Sequence, residues 1–204
     1  MSLEYQIRPY RSSDHPQIRS LVYNGYLTGK TLRLLGKSFM ALGAALFFAL
    51  QYRIRSRVGR YCDAALRTDV ANIEGTYVVP GGGFWVAART QPGGEEEILG
   101  CVGLQYRPAE HTVEVRRMIV ACSFRRHGIA RALMQVALAY ADALPKVEYA
   151  YLTTSDLQLA GQPLYKQLGF VNFKEKEKII PVWAAGQTTT REYRRVQGGG
   201  KVGL

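Results

Sequence analysis

Val113-Glu-Val-Arg-Arg-Met-Ile-Val120, followed by Ala-Cys-Ser-Phe-Arg125-Arg126-His127-Gly128-Ile129-Ala130, is the stretch whose reading decides the fold. Its first half is an apolar run rich in β-branched residues, a strand. A short polar turn follows, and an amphipathic helix opens at Ile129. The start of a helix leaves about four backbone N–H groups without partners, and the macrodipole places roughly half a positive charge there. An anion, above all a phosphate, fits that place. Gly128 lets the amides approach it closely and Ala130 keeps the next turn slim. Arg125, Arg126 and Arg131 surround the position with positive charge.

Downstream, Lys146-Val-Glu-Tyr-Ala-Tyr-Leu-Thr-Thr154 predicts another strand. Gly161-Gln-Pro-Leu-Tyr165-Lys-Gln-Leu-Gly169-Phe170 predicts a helix that bears a tyrosine and ends at Gly-Phe. Val171 to Lys178 alternates into a strand paired with Ile179 to Trp183. Upstream, Leu3 to Arg8 alternates as a strand, and Ser12-Ser13-Asp14 supplies caps for a helix from Pro16 to Gly25. Leu66, Val70 and Ile73 place an amphipathic helix over 63–76. Strands are expected at Phe84 to Ala88 and Ile98 to Tyr106, joined by a hairpin loop over 91–97, and Gly81-Gly82-Gly83 is a loop. The whole is an α/β (α+β) chain with one domain over 1–185 and a basic, Gly-rich tail over 186–204. No internal repeat is present.

Phe39-Met-Ala-Leu-Gly-Ala-Ala-Leu-Phe-Phe-Ala-Leu50 is apolar on every face of a helix. Such a helix is buried all round or lies in lipid. At about 1.5 Å per residue, 39–50 reaches about 18 Å, short of a hydrocarbon core of about 30 Å. Extending it over 34–52 reaches spanning length by including Lys37 and Gln51, which snorkel near the ends. Arg53, Arg55, Arg57 and Arg60 follow as a polybasic flank suited to anionic headgroups. Membrane association through 34–60 is therefore the expectation, with a buried core helix as the alternative.

A chain of 204 residues makes one domain with a substantial core, and 47% hydrophobic content supports folding. The net charge of +11, from 27 basic residues, exceeds what one anion site needs. An acidic substrate, an anionic membrane or a solvated basic face are all consistent with it. The arginines do not form a stripe interleaved with aromatics, which argues against nucleic acid. Cys62, Cys101 and Cys122 lack the spacing of a disulfide scaffold or a zinc site, so no metal is expected and a reducing compartment fits. The N-terminus carries no signal-peptide pattern.

Arg-x-x-Gly-x-Ala after an apolar strand, followed by a strand and by the Tyr165 helix ending in Gly-Phe, resembles the two signatures of the GNAT (Gcn5-related N-acetyltransferase) superfamily. The resemblance implies a GNAT fold: a mixed, mostly antiparallel central sheet flanked by helices, here with an inserted hydrophobic helix near the N-terminus. Within the superfamily, Ile7-Arg-Pro-Tyr-Arg-Ser-Ser-Asp-His15, Ala65-Leu-Arg-Thr-Asp-Val-Ala-Asn-Ile73 and Phe84-Trp-Val-Ala87 are similar to the camello, or N-acetyltransferase 8, group. The apolar insertion sits where that group carries its membrane anchor, though it is shorter, and Thr153 stands where the group is expected to have an acidic residue.

What the resemblance implies is an acetyl-CoA-dependent N-acetyltransferase that modifies a primary amine by direct transfer in a ternary complex. The amine would be that of an amino acid, an amino-acid conjugate or a protein lysine. The location implied is membrane-associated, in the endoplasmic reticulum, with a cytoplasmic enzyme as the alternative. Backbone groups of Met118, Ile119 and Val120 would hold the coenzyme's arm, and Arg125, Arg126, His127, Gly128, Ile129, Ala130 and Arg131 its diphosphate. Tyr165 is the candidate general acid, since a phenol within reach can protonate a departing thiolate. Packing of the same ring in its helix is the plainer reading. Glu114 is the candidate base through water, against a strand carboxylate paired with Arg116. Thr154, Ser155 and Asp156 close the strand nearest the acceptor, where they read the substrate or cap a helix. Two readings stand beside this one: a soluble GNAT acetyltransferase of unrelated acceptor, and a non-catalytic CoA-binding interaction module. Oligomeric state is not legible.

Overall fold

The structure, a computed structural model, describes residues 3–27, 52, 56, 59–60, 62–155, 161–178 and 188–196. Strands β1 (Gln6–Pro9), β2 (Gly83–Thr90), β3 (Glu96–Arg107), β4 (Thr112–Val120), β5 (Tyr149–Ser155), β6 (Val171–Lys178) and β7 (Thr188–Val196) form one sheet in the order β1-β2-β3-β4-β5-β7-β6. Every neighbouring pair is antiparallel except β4 with β5. Helices α1 (His15–Leu27), α2 (Ile129–Ala143) and α3 (Gln162–Gln167) accompany it. The expected mixed, mostly antiparallel sheet flanked by helices is what the chain builds.

The period of two along the strands divides the core. Trp85 and Ala87 point to the face covered by α2, while Phe84, Val86 and Ala88 point to the other. On the first face α2 presents Ile129, Leu133, Met134, Ala137, Leu138 and Ala141, all buried, at the three- and four-residue spacing of one helical stripe. On the second, Ile18, Leu21 and Val22 of α1 pack with Ala65, Val70, Ile73 and Tyr77. Each large aliphatic side chain so buried contributes about 1.5–3 kcal/mol. Helix α1 can lie this close because residue 25 is glycine: a Cβ there would stand 2.6 Å from Ile119 Cγ2.

The N-terminal strand is fastened by charge. Arg8 donates to Asp14 at 2.7 and 2.8 Å and to Glu96 at 2.6 Å, and the Arg11 amide donates to Asp14 at 2.8 Å. Burial by itself would raise the Asp14 carboxyl, but the bonds from Arg8 and Arg11 outweigh it and hold it below its ordinary value. Asp14, expected as a helix cap, is thus also the anchor of β1.

Three expectations are corrected. The helix read over 63–76 is interrupted: it is α-helical at 62–67, turns over 68–72 and resumes at Ile73 into a π-helical turn at Glu74–Val78, with Asp69 and Tyr77 facing inward. The stretch read as part of a basic, Gly-rich tail over 186–204 supplies β7, which lies between β5 and β6. Its signals are the β-branched Thr188–Thr190 and the apolar anchor Tyr193, 2% exposed, and arginine content masks both. Strand β6 accordingly pairs with β7; Ile179 to Trp183, Asp156 and residues 197–204 lie outside the described residues.

The third correction concerns location. Among the described residues no helix is long and apolar enough to cross a membrane. That finding overturns the membrane-associated, endoplasmic-reticulum placement expected from 34–60. The apolar stretch 34–52 lies outside the described residues apart from Tyr52, and of the polybasic flank only Arg60 is described.

Candidate active site

The site begins where β4 and β5 part. Their parallel pairing runs from Thr112 opposite Tyr149 to Val115 opposite Leu152 and stops there, although β4 continues to Val120 and β5 to Ser155. Beyond Val115, among the described residues, no strand pairs with β4 on its β5 side. A wedge therefore opens between the two C-terminal ends, in the middle of the sheet.

A β-bulge sits at the mouth of that wedge. Gly103 of β3 pairs with Arg116 and Cys101 with Ile119, so β4 spends one residue more than β3 over the same span. Arg117 takes up the excess with φ of 52°, in the left-handed region that a side chain adopts only at a cost. The extra residue resets the faces. Val113 and Val115 face α2 before the bulge, and Met118 and Val120 do so after it, with Ile119 turned toward α1. Without it the alternation would put Ile119 in the α2 core and expel Val120.

Strand β4 leads through a 3-10 turn, Cys122–Phe124, into the start of α2. Gly128 caps that helix with φ of 78° and no side chain caps the first-turn amides. Arg126 is also left-handed, at φ of 73°. A Cβ on Gly128 would meet nothing within 4 Å, so glycine serves the backbone angle and leaves the space in front of the amides clear. Arg126, His127 and Arg131 are exposed around this opening. Arg131 donates to Gln167 of α3, and the His127 ring Nδ1 lies 3.0 Å from the Arg125 carbonyl. Arg125 is turned inward instead: its Nε donates to Val120 O at 3.2 Å and its Nη2 to Gly25 O at 3.4 Å, tying the end of β4 to α1. Ile129 is buried and offers only its amide; Ala130 packs against the α2 core.

On the β5 side stand Thr154 and Tyr165. Thr154 is buried, and Ser155 pairs through its backbone with Thr190 of β7. Tyr165 lies in α3, 9% exposed, with its ring edge-on to Phe170 and tilted against Tyr193, centroids 6.3 and 6.2 Å away. Burial, with the nearby Tyr193, pushes its phenol up to about 12, so it stays protonated across the physiological range.

Glu114 stands apart from these groups. It lies in the paired part of β4, opposite Tyr151, on the face away from α2. Arg107 holds it at 2.7 Å, the Tyr151 hydroxyl donates to it at 3.3 Å, and Arg116 is 3.8 Å away. Burial, then the Glu114 charge, pushes the Tyr151 phenol up to about 12.

Sequence reasoning missed a third group. Arg117 of the bulge is 6% exposed and donates to Asp69 through Nε at 2.7 Å and Nη2 at 2.6 Å; Tyr77 donates its hydroxyl to the same carboxylate. Burial by itself would raise the Asp69 carboxyl, yet the bonds from Arg117 and Tyr77 hold it at about 2. The available signal was the doubled arginine at 116–117, which breaks the alternation of an otherwise regular strand.

The wedge, the bulge and the uncapped helix start suit a long ligand with a diphosphate at one end: unpaired main chain for an amide-bearing arm, free N–H groups for the anion. No group of His, Cys, Asp and Glu able to hold a metal occurs among the described residues.

Comparison with known proteins agrees. The family described as Acetyltransferase (GNAT) family matches residues 49–170. An N-acetylaspartate synthetase of Danio rerio is 31% identical over 198 residues, covering 84% of this chain and 68% of that protein. The human N-acetyltransferase 8B is 30% identical over 210 residues, covering 88% and 89%. The chain spans about two thirds of the length of the N-acetylaspartate synthetases it matches, 68% for the Danio rerio protein and 61% for the human one. Among solved structures, Arabidopsis thaliana NAA60 in complex with a bisubstrate analogue superposes with a TM-score of 0.58 at 16% identity, covering 97% of this chain and all of that one. The ribosomal-protein-S18-alanine N-acetyltransferase of Escherichia coli gives 0.60 at 13%, covering 98% and 99%. These two show the fold, and the relatives show the lineage: the chain belongs to the GNAT family of acetyl-CoA-dependent N-acetyltransferases.

Proposed function

We propose that the chain acetylates the primary amine of a free amino acid or amino-acid conjugate, by direct transfer with both substrates held at the β4–β5 wedge. A protein lysine is the alternative acceptor. The observation that carries the reading is the continuity of the wedge, the bulge and the uncapped start of α2 along one strand-turn-helix. The name N-acetylaspartate synthetase, borne by relatives about 30% identical, points to the amino-acid class.

Bound acetyl-CoA supplies the thioester whose acyl carbon the neutral amine attacks. The first-turn amides of α2 at Ile129, Ala130 and Arg131, with the charges of Arg126 and Arg131 and the imidazole of His127, hold its diphosphate. Main-chain groups of Met118, Ile119 and Val120, which lie beyond the β4–β5 pairing, hold the arm as a strand would and fix the acyl carbon; Arg125, bonded to the Val120 carbonyl, keeps the end of that strand against α1. Alignment of this kind supplies most of the acceleration, because effective molarities of aligned groups are very large. Thr154 and the main chain of Ser155 stand at the acceptor end. Glu114 receives the amine's proton through water, its rotamer fixed by Arg107.

Tyr165 delivers a proton to the departing thiolate. Tyr165→Phe is expected to lower kcat about a hundredfold, the scale of general-acid catalysis, while KM for acetyl-CoA stays within twofold. Steady-state thiol release reads both. An unchanged kcat assigns the ring to packing against Phe170 and Tyr193.

The proposal as a whole is tested by thiol release from acetyl-CoA with aspartate, cysteine S-conjugates, polyamines and lysine peptides as acceptors. Turnover confined to the first two is the expected result. Turnover confined to lysine peptides or polyamines overturns the acceptor class. Coenzyme binding with no turnover on any acceptor favours the non-catalytic CoA-binding module.

A further inference from the structure

We infer that the buried Arg117–Asp69–Tyr77 group is a positioning device, which holds the β4 bulge in its left-handed turn and so aims the main chain of Met118 into the wedge. This rests on the reading that Met118–Val120 holds the coenzyme's arm.

Two residues bond Arg117 directly, at its guanidinium and at its carbonyl, and a third, Tyr77, fixes the carboxylate that holds it. Asp69 takes the guanidinium through both oxygens, at 2.7 and 2.6 Å, which sets the plane of the side chain as well as its reach. Cys101 of β3 donates its thiol to the Arg117 carbonyl at 3.4 Å, and this fixes the peptide that follows. That peptide carries the Met118 N–H. Tyr77 donates to the Asp69 oxygen that Arg117 Nε also uses, so the carboxylate cannot swing away. The residue so held has φ of 52° and is not glycine. The left-handed region is costly for a residue with a side chain, and at Arg117 the buried bonds described above offset that cost.

The carboxylate is supplied from a distant part of the chain. Asp69 lies in the turn after the short helix 62–67, and Tyr77 in the π-helical turn, whereas Arg117 belongs to the central strand. A salt bridge whose groups are 4% and 5% exposed gives little net stability compared with an apolar replacement of equal volume. What it gives here is a direction for one peptide group. Nearby, a Cβ on Gly103 would stand 2.7 Å from Tyr77 Cε1. Strand β3 thus leaves no slack into which the Tyr77 ring could retreat.

The test separates backbone geometry from charge. Paired with Asp69→Asn, so that no lone charge stays buried, Arg117→Gly and Arg117→Ala both remove the ion pair; only glycine takes φ near 50° without strain. Measured well below each variant's melting temperature, the alanine double variant is expected to lose at least tenfold in kcat. The glycine double variant should recover most of it, with KM for the amine within twofold in both. Equal kcat in the two overturns the inference. Arg117→Lys covers the case in which a double variant does not fold: it retains a charge opposite Asp69 but not the fork. A kcat lowered about tenfold with the melting temperature nearly unchanged is expected, and an unchanged kcat overturns the inference. Gly128→Glu, assayed in parallel for coenzyme binding, separates the two layers. If it leaves binding intact the arm and cradle reading fails; if it abolishes binding while the glycine and alanine doubles agree, only the positioning role fails.

Discussion

Gly128→Glu is expected to abolish acetyl-CoA binding while the domain still folds. The expectation comes from two effects at one atom. Residue 128 has φ of 78°, where any residue with a Cβ other than asparagine or aspartate is strained by about 1–2 kcal/mol. That is a modest cost for a chain of this size. The second effect is larger. The new side chain has no protein neighbour within 4 Å of its Cβ, so its carboxylate is free to swing to the first-turn amides of α2. There it occupies the place where the diphosphate's charge must sit, and its own oxygens compete for the N–H groups. Isothermal titration with acetyl-CoA reads the loss, and circular dichroism reads the fold. Gly128→Asn is the control, since asparagine tolerates the left-handed angle and brings no charge. It is expected to retain measurable binding. Wild-type affinity in the glutamate variant would remove the cradle from this position.

The largest effect on stability is expected from Asp69→Ala. It leaves Arg117 buried, charged and without its bidentate partner, and strips the Tyr77 hydroxyl of its acceptor. Breaking a buried pair from one side costs about 3–5 kcal/mol, which for a chain near 200 residues lowers Tm by about 10 °C or more. The pH dependence follows from the same carboxylate. Its pKa is held at about 2 in the folded chain, against about 3.9 unfolded. The stability it contributes is therefore complete above about pH 4 and is lost as the pH falls toward 2. Urea unfolding at a series of pH values reads this: Asp69→Asn is expected to lose less stability between pH 4 and 2 than the parent does. Parallel curves would mean that the carboxylate is not held by Arg117 in solution.

The parts of this molecule legible in its sequence are those governed by local rules. The strand over 113–120, the turn and the glycine at the start of α2 follow one another along the chain, so alternation, the helix-start pattern and glycine's backbone freedom reveal them together. Gln162–Gln167 and Val171–Lys178 are legible for the same reason. The parts that were not legible depend on contacts between distant segments. Thr188–Val196 looks like a charged tail until Tyr193 is seen beneath Tyr165, and nothing nearby in sequence announces that neighbour. Asp69 meets Arg117 across 48 positions. The doubled arginine marks a break in alternation, but alternation cannot tell which of the two turns inward. Arg125 reads as a phosphate ligand by position, yet its side chain is spent on the carbonyls of Val120 and Gly25, which only the crossing of α1 over β4 brings within reach.

The place of β7 has a consequence for how the chain comes into being. Strands β1 to β4 are neighbours in sequence order, so that half of the sheet can zip up as it leaves the ribosome. The other half cannot. Strand β5 and, after it, β6 emerge with a gap between them that only residues 188–196 fill. Until then β6 has no partner among the strands already made, and the rings of Tyr165 and Phe170 lack the cover that Tyr193 provides. A chain in which residues 188–196 have not yet taken their place therefore has its cradle written while the edges of β5 and β6 stay unpaired and the Tyr165 and Phe170 rings uncovered, the kind of surface that chaperones recognise.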